Sequence, residues 1–247
     1  MGQVEVRIVG SGDAFGSGGR FQTCIAIRPP DDLFLVDCGA SSLIALRQQQ
    51  IELRDVSKIL ITHLHGDHFG GLPFFLLDAQ LVSKRTAPLM LVGPPGLEKR
   101  LMEAMEVLFA RSSKIEPNFE IHFIELVPRT PTAVGGIEVT AFPAAHFSGA
   151  PSYSLRVAVE GKVFVYSGDT QWTDTLIEAS DQADLFLCES YVFDKEVALH
   201  NSYDNIMQHR ARLTCKRILL THMSEDMLAR ADEVELPMAH DGLQLIL

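Results

Sequence analysis

The chain reads as an α/β protein on three observations. Segments with strand character alternate with helical ones from end to end, glycine, proline and aspartate punctuate them, and no Pro/Ser-rich linker or composition break interrupts the succession. The 247 residues are 47% hydrophobic and 21% charged, which supplies a sizeable core and excludes a disordered or fibrous chain. Residues 1–247 are accordingly expected to form one domain.

Val4, Val6 and Ile8 alternate with polar residues, and the run stops at Gly10-Ser11-Gly12, a strand entering a glycine-rich loop over 11–19. Strands are expected at 23–27 and 33–36, separated by Pro29-Pro30-Asp31-Asp32, then a short helix at 41–50 with Leu43, Ile44 and Leu46 as its apolar stripe. A buried strand follows at 58–62, a helix opened by Pro73 at 73–83, a strand at 89–92 and an amphipathic helix at 95–109. The second half continues with strands at 119–125, 137–143, 153–159 and 162–166, the last two joined through Gly161. A helix at 172–179, a strand at 185–188, a helix at 202–213 and strands at 217–220 and 243–247 complete the chain. The apolar helix at 73–83, with Phe74, Phe75, Leu76 and Leu77, suits either a core position or a homodimer face.

Charge and cysteine usage narrow the function. The 21 Lys and Arg against 32 Asp and Glu give −11 at pH 7, which argues against a protein that binds long nucleic acid by neutralising its phosphates. Small anions held in a local pocket remain open. No apolar run reaches the roughly 18–20 residues of a membrane helix, and the N-terminus has no signal-peptide core, so a cytoplasmic protein without a membrane partner is expected. Cys24, Cys38, Cys188 and Cys215 stand singly, which fits buried reduced thiols rather than a disulfide scaffold.

The densest chemistry lies in Thr62-His63-Leu64-His65-Gly66-Asp67-His68. His63 and His65 are two apart, so an extended segment points both imidazoles to one side, while Gly66 permits a turn that aims Asp67 and His68 elsewhere. Such ligands at a strand end can feed two adjacent cations. The strand before them is echoed later: Lys58-Ile-Leu-Ile-Thr62-His63 is answered by Arg217-Ile-Leu-Leu-Thr221-His222. Two facing half-domains that deliver ligands from strand ends would produce this echo.

With its H-x-H-x-D-H motif after a buried strand, the chain resembles the metallo-β-lactamase superfamily. That resemblance implies a four-layer αββα sandwich with metals at one edge of two packed sheets. It also implies that His146 (in Pro143-Ala144-Ala145-His146), Asp169 (in Tyr166-Ser167-Gly168-Asp169) and His222 complete a binuclear site. One metal would take His63, His65, His146 and Asp169; the other would take Asp67, His68, His222 and Asp169, with Asp169 between them. Asp37, in Val36-Asp37-Cys38-Gly39, falls where the superfamily has a carboxylate supporting the ligands. No cysteine occupies a ligand position, unlike many β-lactamases.

Further motifs resemble the ribonuclease Z branch: Gly71-Leu72-Pro73 after the histidine motif, Gly10-Ser11-Gly12-Asp13-Ala14-Phe15, Cys188-Glu189-Ser190, His200-Asn201-Ser202 and the closing Asp241-Gly242-Leu243. The resemblance implies that Glu189 and His200 pair beside the metals and handle the leaving-group proton, and that Asp241 is structural. The long basic arm of tRNA-processing members is missing, since the stretch between His146 and Asp169 suffices only for a hairpin.

The expected reaction is therefore hydrolysis of a small phosphodiester, such as a cyclic nucleotide, a cyclic ribose phosphate or a short oligonucleotide. Metal-bound hydroxide would attack, with Asp67, Glu189 and His200 as the catalytic side chains. The cofactor would be two divalent ions, Zn²⁺ first, with Mn²⁺ or Fe²⁺ also suited to His/Asp ligands. The glycine-rich loop at 11–19 could add N–H donors for a phosphate. Alternative readings are a lactone, thioester or β-lactam hydrolase, a sulfatase, a pre-tRNA 3′-end endonuclease, and a metal-binding regulatory module without turnover.

Overall fold

The computed structural model describes residues 2–247. The first half contributes β1 (Glu5–Gly10), β2 (Cys24–Arg28), β3 (Phe34–Val36), α1 (Ser42–Gln48), β4 (Lys58–Leu60), α2 (Gly66–Phe69), α3 (Leu72–Leu81), β5 (Leu89–Gly93), α4 (Leu97–Leu108) and β6 (Ile121–Glu125). The second half contributes β7 (Thr132–Val134), β8 (Ile137–Pro143), β9 (Tyr153–Val159), β10 (Lys162–Tyr166), α5 (Thr175–Ser180), β11 (Leu185–Glu189), α6 (Tyr203–His209), β12 (Ile218–Thr221), α7 (Glu225–Leu228) and β13 (Gln244–Ile246).

These strands form two mixed sheets, ordered β13-β1-β2-β3-β4-β5-β6 and β12-β11-β10-β9-β8-β7. Side-chain alternation sorts the apolar residues into three cores. Val6, Ile8, Phe34, Val36 and Leu60 of the first sheet pack on Val157, Phe164, Tyr166, Leu187 and Leu219 of the second. Ile59, Ile61 and Leu91 face the other way, toward Leu46 of α1, Phe75 and Leu76 of α3 and Leu101 of α4. Val165, Phe186, Cys188 and Leu220 do the same toward Leu176 of α5, Ile206 of α6 and Met227 of α7. Burial on both faces is why β4 and β11, inside their sheets, read as near-continuous apolar runs; β12, at an edge, also packs on both faces through Leu219 and Leu220. The layers are thus helix, sheet, sheet, helix.

Topology positions the chemistry. β3–β4–β5–β6 run parallel, as do β10–β11–β12, so the carboxyl ends within each run fall on one edge. Open α/β sheets bind ligands at that end. Asp37 follows β3, His63 follows β4, Asp169 follows β10, Glu189 ends β11 and His222 follows β12. β8 runs the same way as β10, because each pairs antiparallel with β9, and so brings in His146. The echoed segments do deliver histidines from both sheets, but they are not equivalent strands. β4 lies between β3 and β5, whereas β12 is the edge of its sheet.

Differences from the sequence reading have local causes. β7 escaped it because only three residues pair, across a turn in which Gly135 and Gly136 both take positive φ (48° and 86°). That Gly-Gly pair is a hairpin signal. The turn expected at Gly66 is instead the short helix α2, with Gly66 at negative φ and open space where a Cβ would stand. The expected helix at 172–179 begins three residues later, so Trp172 stays outside it. The helix at 202–213 starts at a Ser202 cap, whose hydroxyl accepts from Asn205 N at 3.2 Å, and gives way to a tighter turn at Arg210–Arg212. α7 is a single turn. Helix α3 buries Phe75, Leu76 and Ala79 while Phe74 and Leu81 remain exposed. Between His146 and Asp169 the chain is the β9–β10 hairpin, turning at Glu160-Gly161. All four cysteines are free and buried, and burial pushes the Cys38 thiol up to about 12. No helix of the described residues is long and apolar enough to cross a membrane.

The C-terminus closes the first sheet, not the second: β13 pairs antiparallel with β1, with Glu5 opposite Ile246. The turn before it is pinned by Asp241, whose carboxylate accepts from Ser11 N (2.9 Å), Ser11 Oγ (2.8 Å) and Phe21 N (2.8 Å). Removing it strands those donors. Asp241→Ala should therefore cost about 2–3 kcal/mol, the scale for hydrogen bonds to a charged group. Urea unfolding of the metal-free protein measures this, and an unchanged midpoint would show that the turn is held by something else.

Candidate metal centre

The structure brings seven of the sequence-predicted residues into two clusters. His63, His65 and His146 form one; Asp67, His68, Asp169 and His222 form the other. The extended stretch through His65 turns two imidazoles one way, and α2, starting at Gly66, swings Asp67 and His68 the other way.

Asp169 joins the two clusters. Its Oδ1 lies 3.2 Å from His68 Nε2 and 3.5 Å from His222 Nε2, while its Oδ2 lies 3.9 Å from both His63 Nε2 and His146 Nε2. Asp67 Oδ2 is 3.2 Å from both His68 Nε2 and His222 Nε2, and His146 Nε2 is 3.0 Å from His65 Nδ1. A tetrahedral metal site with ligand bonds of about 2.0–2.1 Å has neighbouring ligand atoms about 3.3–3.4 Å apart. The second cluster matches that spacing, and the first brackets it.

Three of the donor atoms have no hydrogen-bond partner. These are His63 Nε2, His68 Nε2 and Asp169 Oδ1, all buried. Buried polar atoms in native proteins are rarely left so. Burial, with His68 adding, pushes the His63 imidazole far down and keeps it neutral with a free lone pair. Burial opposes ionisation of Asp169, but His222 and His68 outweigh it and hold the carboxylate well below the usual range. Burial likewise opposes a charged His68, but Asp169 and Asp67 raise it well above the ordinary imidazole value. A histidine–aspartate cluster of this kind suits divalent metal.

The far nitrogens of the histidines are fixed from behind. Asp37 Oδ2 meets His68 Nδ1 at 2.7 Å and accepts from Thr62 Oγ1 at 2.7 Å, and Thr62 Oγ1 meets His63 Nδ1 at 3.0 Å. His146 Nδ1 donates to the Leu199 carbonyl at 2.9 Å. Asp37 and His222 both adopt left-handed backbone (φ 59° and 57°), strain that clusters at functional sites. Close backbone packing demands two glycines here. A Cβ on Gly39 would stand 2.2 Å from the Asp67 carbonyl, and one on Gly168 (φ 60°) 2.7 Å from the Tyr153 carbonyl.

Glu189 and His200 meet beside the cluster. His200 Nδ1 contacts Glu189 Oε1 at 2.5 Å and lies 4.0 Å from Asp169 Oδ2. Glu189 is fully buried, and its Oε2 accepts from Thr170 N at 2.6 Å. Burial and Asp169 push the Glu189 carboxyl well up, and burial pushes the His200 imidazole down. The Tyr191 ring covers His200 at 4.6 Å between centroids. Neither Tyr191 nor the Leu199 carbonyl carries a sequence signal: the first is one ordinary aromatic after Ser190, and the second is backbone.

The glycine-rich loop at 11–19 turns inward on Asp13. Most of its N–H groups are already engaged: Phe15 N and Ser17 N donate to Asp13 Oδ1, Gly18 N to Glu225 Oε1 and Ser11 N to Asp241. The loop is folded around the buried Asp13 carboxylate, which takes up N–H groups that a phosphate would otherwise use.

Comparison with known proteins agrees with this geometry. The model of the family described as anti-Pycsar protein Apyc1 matches residues 4–239. Ribonuclease Z of Agathobacter rectalis is 26% identical over 282 aligned positions, which span 93% of this chain and 90% of that one. The structure of human tRNase Z, short form, is 27% identical with a TM-score of 0.79 over 98% of each chain. The metallo-β-lactamase fold protein YhfI of Bacillus subtilis superimposes with a TM-score of 0.79 over 99% of this chain and 100% of that one, at 19% identity.

Asp37→Asn removes the charge behind His68 while keeping the Thr62 contacts available. Zinc affinity, measured by chelator competition, should fall about 10–100-fold with the fold intact. Unchanged affinity would mean that Asp37 serves the backbone of Thr62 alone.

Proposed function

The chain belongs to the anti-Pycsar protein Apyc1 family, a ribonuclease Z-like group of metal-dependent hydrolases with the metallo-β-lactamase fold, and from there we propose that it is a binuclear phosphodiesterase acting on a small substrate such as a cyclic nucleotide. His63, His65, His146 and Asp169 would hold one divalent cation and Asp67, His68, His222 and Asp169 the other, with Zn²⁺ the ion best suited to the spacing. Cations bound there supply an acidified water at neutral pH and counter-charge for the phosphoryl oxygens.

The observation that carries this reading is the His200–Glu189 pair within 4.0 Å of the shared Asp169. Hydrolysis of a phosphodiester makes one P–O bond to water and breaks one to an alkoxide, a poor leaving group that needs a proton. His200 can give that proton from Nε2, because its Nδ1 meets Glu189 Oε1, which holds the ring in place and lies where it can exchange a proton with it. Thr170 N and burial fix Glu189, so the imidazole is oriented before substrate arrives. Asp67 faces His68 and His222 with an ionised carboxylate, where it can accept a hydrogen bond from the attacking water. The side chains lining the cluster are thus arranged for attack at one position and protonation at another.

A second reading is pre-tRNA 3′-end cleavage, favoured by the ribonuclease Z relatives. The −11 charge and the short β9–β10 hairpin favour the small substrate instead.

Zn²⁺- or Mn²⁺-loaded protein should hydrolyse bis(p-nitrophenyl) phosphate, and Asp67→Ala should abolish that turnover. A lactone, a β-lactam and a pre-tRNA run in parallel decide among the readings: cleavage of a carbonyl substrate alone overturns ours, and pre-tRNA cleavage alone establishes the second. His200→Ala should keep its metal and lose about 10²–10⁴-fold in kcat on substrates with an alkoxide leaving group. The loss should be smaller with p-nitrophenolate, which departs without a proton; equal losses would remove His200 from the proton-donor role.

A further inference from the structure

Between β11 and α6 the chain leaves Glu189, runs out through an irregular loop and comes back at His200. Backbone bonds close the base of the loop: Tyr191 N donates to the Asn201 carbonyl and Tyr203 N to the Val192 carbonyl, each at 2.9 Å. Its outer part, 194–199, has no regular structure and is mostly exposed. Among the described residues that part offers one backbone-to-backbone bond, from His200 N to the Val197 carbonyl at 3.2 Å. Leu199 nevertheless holds a left-handed conformation (φ 69°), the one in which its carbonyl meets His146 Nδ1. A leucine rarely adopts that conformation and keeps it only where its surroundings impose it.

The constraint comes from α7 and the turn after it. Asp226 accepts from Phe193 N at 3.2 Å and pairs with Lys195. Arg230 donates to Asp194 at 2.7 Å and lies over the Phe193 ring, its guanidinium carbon 3.5 Å from the centroid. Glu233 fixes the other side of that guanidinium with two bonds of 2.8 Å. Asp226 and Arg230 thus grip the same stretch, 193–195. α7 is tied to the metal centre in turn: it starts three residues after His222, and Ser224 at its head donates from N (2.9 Å) and Oγ (2.6 Å) to the Tyr191 carbonyl. An isolated surface ion pair contributes little. Here one arginine makes a charge pair and covers an aromatic face at once, on a loop with little else to hold it.

We propose that Arg230 and Asp226 are positioning residues for proton delivery: they hold the loop in the conformation that sets His200 on Glu189 and the Leu199 carbonyl on His146. The assignment rests on the phosphodiesterase reading above. It makes part of the catalytic geometry depend on side chains that belong to neither ligand cluster.

Arg230→Met keeps an apolar side chain on Phe193 and removes the charge. On a nucleoside 3′,5′-cyclic phosphate, which releases an alkoxide, it should lower kcat about tenfold and leave KM nearly unchanged. On bis(p-nitrophenyl) phosphate, whose leaving group departs without a proton, the loss should stay under about twofold. Arg230→Lys should recover part of the loss, and Asp226→Asn should move the ratio of the two rates in the same direction. Equal losses on both substrates, or none, would overturn the proposal. Hydrogen exchange separates its failure from that of the reading beneath it. Amides of 193–200 should exchange about fivefold or more faster in Arg230→Met than in the parent; unchanged exchange overturns the clamp, while the phosphodiesterase reading stands on the parent's own turnover. A parent that cleaves no phosphodiester removes that reading, and the role in proton delivery with it, whatever the exchange shows.

Discussion

Everything in this protein converges on the carboxylate of Asp169. It leaves the end of β10 in the second sheet, yet one of its oxygens faces His68 and the other faces His63, both delivered by the first sheet. The interface between the sheets is an apolar core almost to its edge. At the edge that core gives way to buried imidazoles and carboxylates whose lone pairs point at one another. Such a cluster is costly without a cation, because neither desolvated carboxylates nor neutral imidazoles can satisfy each other completely. The sandwich supplies the rigidity that holds them there.

Rigidity comes from a layer of contacts behind the donor atoms. One buried carboxylate, Asp37, reaches the histidines of both clusters, His68 directly and His63 through the Thr62 hydroxyl. The chain takes a left-handed turn at Asp37 and again at His222, and Gly39 allows the backbone of the histidine motif to press against β3's continuation. Backbone bonds then lace the two sheets together at this edge: Tyr153 N donates to the Thr62 carbonyl at 3.0 Å, and His222 N to the Ser11 carbonyl at 3.0 Å. Strained conformations persist where the surroundings over-determine them, and here they do.

The stretch 194–200 touches the histidine cluster at two places. Its Leu199 carbonyl orients His146, its next residue is His200, and its earlier residues wall a cleft that Trp172 also lines.

Local signals made much of this legible beforehand. Apolar runs at 153–159 and 162–166 around a glycine turn foretold a hairpin with those bounds, and the dense ligands between His63 and His68 foretold a metal-type cluster. Alternation within a run also foretold which side chains share a face, because the two-residue period is a property of the chain itself. Short elements were harder to read: three paired residues at 132–134 and four helical ones at 66–69 give too little period to recognise. What tertiary structure alone decided was which distant segments meet. His146, Asp169, His200 and His222 carry no periodic mark and were placed in the site by likeness to a family, whereas their meeting depends on strand order. β13 returning to β1, β12 standing at an edge rather than matching β4, and the pairing of Leu199's carbonyl with His146 are likewise products of packing. Sequence periodicity encodes the face a residue presents; only the closed set of long-range hydrogen bonds and buried contacts fixes what that face meets.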